Sequence, residues 1–430
     1  VAVSGTIRKK NARKERVMAE QKSITIITNG RLINGTGTGP VENTTVVIEG
    51  PYIRAVGQRI TIPKGAKVLD VSGMTVMPGL INSHMHLAGG KTGTTPRDPS
   101  RPREVAMLKA ADDAKQQLIS GFTTVKDCGG RTAVYLRQAS AEGIVTGFPR
   151  IVAAGCLMAQ TNGQIDRPPR LPGSGDTRQN VQEDGLICDG VNECLKATRY
   201  SLRCGADFIK VLASGSFFQP DIASPGGVEF SLEELGTFVK TAAQAGKFVT
   251  VHSQNGQSSK NAILAGVKTI DHVSRSSDEV VALGKKHGAI FVSTLAYLRR
   301  MLDGDGPPFG KARVKEEWDA SVEIYKKIHD AGAVLAAGTD SFGDPQMGAL
   351  EMELLVKHCH FTPMEVIVAA TKNGGEACFM GDRIGTVESG KSADIIVVDG
   401  DPLADIKVLQ DIDRIKMVLL EGKVCVNRGL

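Results

Sequence analysis

Two histidines one residue apart, His84 and His86, follow the apolar run 75–81. In an extended strand, residues i and i+2 point to the same face, so both imidazoles can reach one site. Four more groups with metal-binding atoms stand within or just after apolar runs: Lys210 in 208–213, His252 after 248–251, His272 after 269–270 and Asp340 after 334–337. Imidazoles and a carboxylate without thiolates suit zinc, and also manganese or cobalt. Lys210 is the unusual member. Its run is apolar on both faces, where an ammonium is costly to bury without a partner. Two readings stand side by side. In one, the lysine snorkels to the rim near Ser214-Gly215-Ser216. In the other, CO2 carboxylates it, and the resulting anion bridges two divalent ions. Taken singly, a strand-end histidine is more often structural, and Asp340 could cap a helix. Six such groups at five strand ends are harder to assign to six unrelated structural roles.

The elements that would carry these groups alternate. Short apolar runs at 75–81, 122–126, 150–154, 208–213, 248–251, 269–270, 289–292 and 334–337 are separated by helical patterns such as 232–245 and 320–331. Eight βα units predict an α/β fold, a (β/α)8 TIM-like barrel, whose catalytic groups gather at the C-terminal strand ends. An open doubly wound sheet is the alternative; no glycine-rich phosphate-binding motif opens any of the helices. Strand-like sequence at 23–75 and 385–430 brackets the middle and predicts a small β-sandwich domain built from both chain ends. The expected division is therefore a basic tail at 1–22, the small domain at 23–75 with 385–430, and a metal-dependent hydrolase barrel at 76–384.

Composition narrows the function classes. The 430 residues are 41% hydrophobic and 23% charged, in the range of a soluble globular protein. No apolar run is long enough to span a membrane. The net charge of +5 is matched by the first 22 residues alone, where seven Lys and Arg face Glu15 and Glu20. The rest is neutral on balance, so no nucleic-acid-binding surface is expected. The tail lacks a secretory h-region, and the eight dispersed cysteines contain no CxxC. A cytoplasmic location with reduced thiols is the expectation. The chain opens at Val1, which leaves its native start open. His287, His329, His358 and His360 fall in or near helix ends and are read as structural.

Seven segments carry a resemblance: VMPGLINSHMHL (76–87), FIKVLASGS (208–216), VHSQN (251–255), IDHVS (270–274), AAGTDS (336–341), TPMEVIVAAT (362–371) and IGTVESGKSADIIVVDGDPL (384–403). Together they closely resemble the amidohydrolase superfamily, in the branch of imidazolonepropionase-like, Xaa-Pro dipeptidase-like and ochratoxin-hydrolysing carboxypeptidase-like enzymes. The resemblance covers nearly the whole chain after residue 22. It implies that His84, His86 and Asp340 hold one metal ion, that His252 and His272 hold a second, and that carboxylated Lys210 bridges them. It further implies hydrolysis of an amide C–N bond by a metal-activated hydroxide, with Asp340 as the proton shuttle. Two positions depart from the pattern. Gln164 stands where many relatives place a histidine in a Gly-Gly-His-Gly stretch, and Ser253-Gln254 replace a second histidine after His252.

The expected substrate is a small molecule: an N-acyl amino acid, a dipeptide or an aryl amide. A cyclic amide, urea or carbamate would suit the same centre, and a non-catalytic oligomeric scaffold is a third reading. Tyr297, at the end of the seventh strand, is a candidate donor to the substrate carbonyl. Gln164 is a candidate substrate contact. Arg275, Arg167 and Arg170 are candidates to pair with a substrate carboxylate, and the loop 156–176 to shape the pocket. A homo-oligomer is expected from the relatives.

Overall fold

A computed structural model describes residues 24–88, 102–166, 185–217, 227–304 and 310–430. The basic tail, Arg167 and Arg170 lie outside these residues. The first strands are Ile24–Leu32 (β1), Val41–Glu49 (β2), Tyr52–Gly57 (β3), Lys67–Asp70 (β4) and Thr75–Pro78 (β5). The central ones are Leu80–Met85 (β6), Phe122–Asp127 (β7), Arg150–Ala153 (β8), Leu157–Ala159 (β9), Gly185–Ile187 (β10), Ile209–Leu212 (β11), Val249–Ser253 (β12), Thr269–His272 (β13), Ile290–Ser293 (β14) and Leu335–Ala337 (β15). Ile395–Val398 (β16), Ile415–Leu420 (β17) and Lys423–Asn427 (β18) close the chain.

Both chain ends feed one eight-stranded sheet, in the order β18-β17-β16-β5-β1-β2-β3 with β4 on β1. The sequence leads to the expectation of a small β-sandwich; the described strands of both chain ends belong to one hydrogen-bonded sheet, continuous through β1. Thr25–Thr28 of β1 pair with β4 and Arg31–Leu32 pair with β5, so β1 changes partner midway. Buried Ile27, Val46, Ile48, Val397 and Met417 give this sheet its own core.

The run 75–81 is a single strand in the sequence pattern but two in the fold. β5 belongs to the end sheet and β6 to a central one, and the break falls at Gly79. A Cβ there would lie 2.1 Å from the Thr123 hydroxyl, so only glycine lets the chain pass β7 at that point. The end sheet therefore extends to Pro78, past the boundary expected at residue 75.

The central strands form two parallel sheets, β6-β7-β8 and β10-β9-β11-β12-β13-β14-β15. Backbone hydrogen bonds also run between these two sheets. The N–H groups of Thr339 and Asp340, just past β15, donate to His84 O, each at 2.8 Å. Asp207 N–H, just before β11, donates to Ala153 O of β8 at 2.8 Å. The approach to His84 requires Gly338, whose Cβ would sit 2.7 Å from that of His84. β9 and β10 were not expected from the sequence; strands of three residues carry too few positions to show a period.

The intervening helices are set by local chemistry. Leu232–Gln244 starts at a Ser231/Glu234 capping box and buries Leu235, Phe238 and Ala242 at helical spacing. Asp278–His287 ends on Gly288 in the left-handed conformation, with His287 in its last turn as expected. None of the eight cysteines is in a disulfide. No helix among the described residues is long and apolar enough to cross a membrane.

Candidate metal centre

Five of the six expected groups lie at or just past the C-terminal ends of the central strands, and Lys210 lies earlier, inside β11. His84 is in β6 and His86 just beyond it, and their rings lie 5.4 Å apart. The i, i+2 spacing brings both to one carboxylate oxygen: His84 Nε2 is 3.3 Å and His86 Nε2 3.2 Å from Asp340 Oδ1. The His272 ring is 4.9 Å from that of His84 and 4.6 Å from that of His252. Two of the positioning residues are strained. Asp340 (φ 56°) and His272 (φ 68°) both occupy the left-handed region, which non-glycine residues seldom adopt. At His272 the consequence is visible. Plain alternation would send Asp271 and His272 to opposite faces, yet both reach His84.

Lys210 is buried in β11, and its Nζ pairs with Asp271 Oδ2. The same oxygen lies 3.0 Å from His84 Nδ1. His84 thus faces a carboxylate from each ring nitrogen. A neutral imidazole has one N–H and satisfies one of them. Either a second proton or a cation between Nε2 and Asp340 must complete the other side. Burial works against a charged His84, but Cys128 and Asp271 outweigh it and hold its pKa well above the ordinary value. Burial also pushes Asp340 up, and hydrogen bonds from His84 and His86 overcome it, leaving the carboxylate well below its usual range. Burial and then Lys210 pull His252 down to about 3. Burial and then His252 hold His272 well below its ordinary value. Both imidazoles are neutral and offer lone pairs. His272 Nδ1 is 2.8 Å from Thr294 Oγ1, while Tyr325 donates to His272 O at 3.0 Å. His252 Nε2 is 3.4 Å from Gly215 O. Neutral imidazoles, two further imidazole nitrogens on one carboxylate oxygen, and a lysine among them form a donor set that fits divalent ions.

The sequence profile of the amidohydrolase family matches residues 75–425. The chain belongs to the amidohydrolase family. As a member it is a hydrolase acting on carbon–nitrogen bonds. It is 32% identical to the ochratoxinase of Aspergillus niger over 441 aligned positions, covering 96% of this chain and 88% of that one. The crystal structure of the A. niger ochratoxinase superposes with a TM-score of 0.84 at 29% identity, covering 95% of this chain and 97% of that chain. A prolidase crystallised with N-methylphosphonate-L-proline gives a TM-score of 0.85 at 28% identity, covering 95% and 100%. The imidazolonepropionase of Thermoplasma volcanium is 24% identical, covering 90% of this chain and 92% of that one.

The amidohydrolase's candidate substrate contacts fare less uniformly. Tyr297 is not at a strand end: β14 stops at Ser293, and Tyr297 lies in the first turn of the helix Leu295–Asp303. It is buried 6.0 Å from the Phe342 ring, which stacks on His86 at 4.9 Å. Burial and then the Asp340 charge push its phenol well above the ordinary value, so it remains a donor. Gln164 is tied to Glu229, its N–H donating to Oε1 at 2.7 Å. Arg275 pairs with buried Glu317. Of the loop 156–176, the described part ends at Asp166.

Several residues of the site escaped sequence reasoning. Asp271 holds both His84 and Lys210. Asp127, at the end of β7, accepts from Leu87 N–H at 2.6 Å and Gly129 N–H at 3.1 Å, and burial pushes its carboxyl up to about 6. Glu317 accepts from Gln254 at 2.9 Å and also from Ser274 and Arg275. A local signal was available for Asp127, which directly follows the run 122–126; nothing in the sequence around Glu317 marks it.

Proposed function

We propose that this amidohydrolase carries a binuclear metal centre in a closed (β/α)8 barrel and cleaves an amide C–N bond. The observation that carries the reading is the convergence of His84 Nε2 and His86 Nε2 on Asp340 Oδ1, at 3.3 and 3.2 Å, beside the His252–His272 pair. Backbone hydrogen bonds between the two central sheets support closure. In this reading His84, His86 and Asp340 hold one divalent ion, His252 and His272 the other, and carboxylated Lys210 serves both; zinc suits the donors. When bound, the ions supply Lewis acidity to the scissile carbonyl and lower the pKa of a water.

The chain's own residues do the rest. Carboxylation joins CO2 to Lys210 Nζ with loss of two protons from the ammonium, turning a cation into an anion. Asp340, held ionised by its imidazole neighbours, takes the proton of the attacking water on a carboxylate oxygen. It then delivers that proton to the departing nitrogen, which leaves poorly without one. Tyr297, kept protonated, donates to the carbonyl oxygen. The relatives named ochratoxinase and prolidase favour an N-acyl amino acid, dipeptide or aryl amide. The more distant imidazolonepropionase supports a cyclic amide as the second reading. The presence of all six groups supports a working centre over a non-catalytic scaffold.

A metal-replete crystal is expected to show two divalent ions at this centre by anomalous scattering, one on His84, His86 and Asp340 and one on His252 and His272. A single ion there, or an unmodified Lys210 in that crystal, would refute the bridge. Asp340→Asn is expected to lower turnover by about 100- to 10,000-fold at matched metal content. Turnover within a few-fold of wild type would leave Asp340 as a ligand alone. A panel of acyl amino acids, dipeptides, aryl amides, cyclic amides, ureas and carbamates decides the substrate class.

A further inference from the structure

A second convergence of imidazoles lies at the other end of the strands. The helix Lys311–Asp330 ends just before β15 begins, whereas Asp340 follows the end of β15. His329 and Asp330 close that helix, and His360 lies two residues beyond the helix Gln346–His358. Nδ1 of His329 is 2.8 Å and Nδ1 of His360 3.2 Å from one oxygen, Asp330 Oδ1. One ligand atom from each of the three residues falls within 4.8 Å of the others.

Three features favour a cation among these atoms. His329 faces a second carboxylate through Nε2, 3.5 Å from Glu365 Oε2. That oxygen is itself held by the Thr362 N–H and hydroxyl, each at 2.8 Å, in the capping box of the helix Pro363–Ala369. His329 thus stands between two carboxylates, with Nδ1 in hydrogen-bond reach of Asp330 and Nε2 near Glu365, and a neutral ring with one N–H satisfies only one of them. A second proton or a metal ion at Nδ1 completes the other side, and a carboxylate behind the distal nitrogen is the usual support of a metal-bound histidine. Next, Asp330 ends its helix, where the dipole disfavours a lone carboxylate and favours a cation. Last, His360 takes the left-handed conformation (φ 67°), and its ring stands 6.1 Å from that of His329. Asp330 and His360 are both about half exposed, so an ion can enter from solvent.

We propose that His329, Asp330 and His360 form a peripheral site for one borderline divalent ion such as Zn2+, with Glu365 orienting His329 and water completing the coordination. The ion would tie the end of the helix Lys311–Asp330 to the segment that leads into Pro363–Ala369.

The test compares full-length wild type, His360→Asn and Asp330→Asn after equilibration with Zn2+ at low micromolar free concentration in a metal buffer. Asparagine tolerates the left-handed backbone at position 360, and Asp330→Asn provides a second, independent variant on the exposed face. Elemental analysis is expected to show one more zinc per chain in wild type than in either variant, whatever number the His84–Asp340 centre holds. The readout is a difference, so it stands apart from the count at that centre. Circular dichroism confirms that the variants compared are folded. Retention of the additional equivalent by either folded variant, or equal zinc in all three proteins, overturns the site.

Discussion

Asp271 is fully buried, and one of its oxygens, Oδ2, meets both His84 Nδ1 and Lys210 Nζ. Burial pushes its carboxyl up, but the Lys210 and His84 charges overcome this and hold it far below the usual carboxylate range. Its place 3.0 Å from His84 Nδ1 favours the tautomer with the proton on that nitrogen, which leaves Nε2 turned toward Asp340. Asp271 would therefore act through another residue, orienting a ligand from behind. Asp271→Asn keeps the shape and loses the charge. The expected outcome is a metal affinity about 10- to 100-fold weaker, read by chelator competition on the folded variant. An unchanged affinity would mean that packing alone orients His84.

At the scale of elements, the segment Gln164 shares with Gly163 closes over Glu229. A Cβ at Gly163 would lie 2.3 Å from Glu229 Oε2, so the loop presses directly on a buried carboxyl. Burial pushes that carboxyl up to about 8, against a single hydrogen bond from Gln164 N–H that works the other way. In the unfolded chain glutamate ionises near its ordinary value of about 4.3. Between the two values the folded state binds the proton and the unfolded state does not. Stability contributed at this position is therefore lost as the pH rises from about 4.3 to about 8, and levels off above. Glu229→Gln mimics the protonated form without its titration. Relative to wild type, the variant's thermal midpoint should rise progressively between pH 5 and pH 8. Parallel midpoint curves for the two proteins would show that Glu229 is already ionised in the fold.

For the whole molecule, the end sheet binds the two chain termini together through β5, which pairs with β1 on one side and β16 on the other. That pairing is made by residues from Ile24 onward. The basic residues at 1–22 match the entire net charge and precede every strand among the described residues. Deleting residues 1–22 is expected to leave turnover and thermal midpoint nearly unchanged. Size-exclusion chromatography of truncated and full-length protein tests whether the tail supports the homo-oligomer expected from the relatives. A smaller assembly, or a midpoint lower by several degrees, would assign the tail a structural role.

His84, His86, Lys210, His252, His272 and Asp340 were legible in the sequence because their signals are local. A polar group at the end of an apolar run, or a pair at i and i+2, shows in a few adjacent residues. The alternation of runs with helical patterns was legible for the same reason, since strand and helix periods repeat over short stretches. Other features were decided only by what the chain meets far along its length. Gly79 divides one apolar run into two sheets because Thr123 lies against it. Asp271 looks like an ordinary charged position until His84 and Lys210 arrive from distant strands. Glu317 gains its role only when Gln254, Ser274 and Arg275 converge on it. A buried charge is stable only with its partners in place. Because those partners are distant in sequence, the sequence determines which groups could hold metal, and the tertiary structure decides which carboxylates hold them ready.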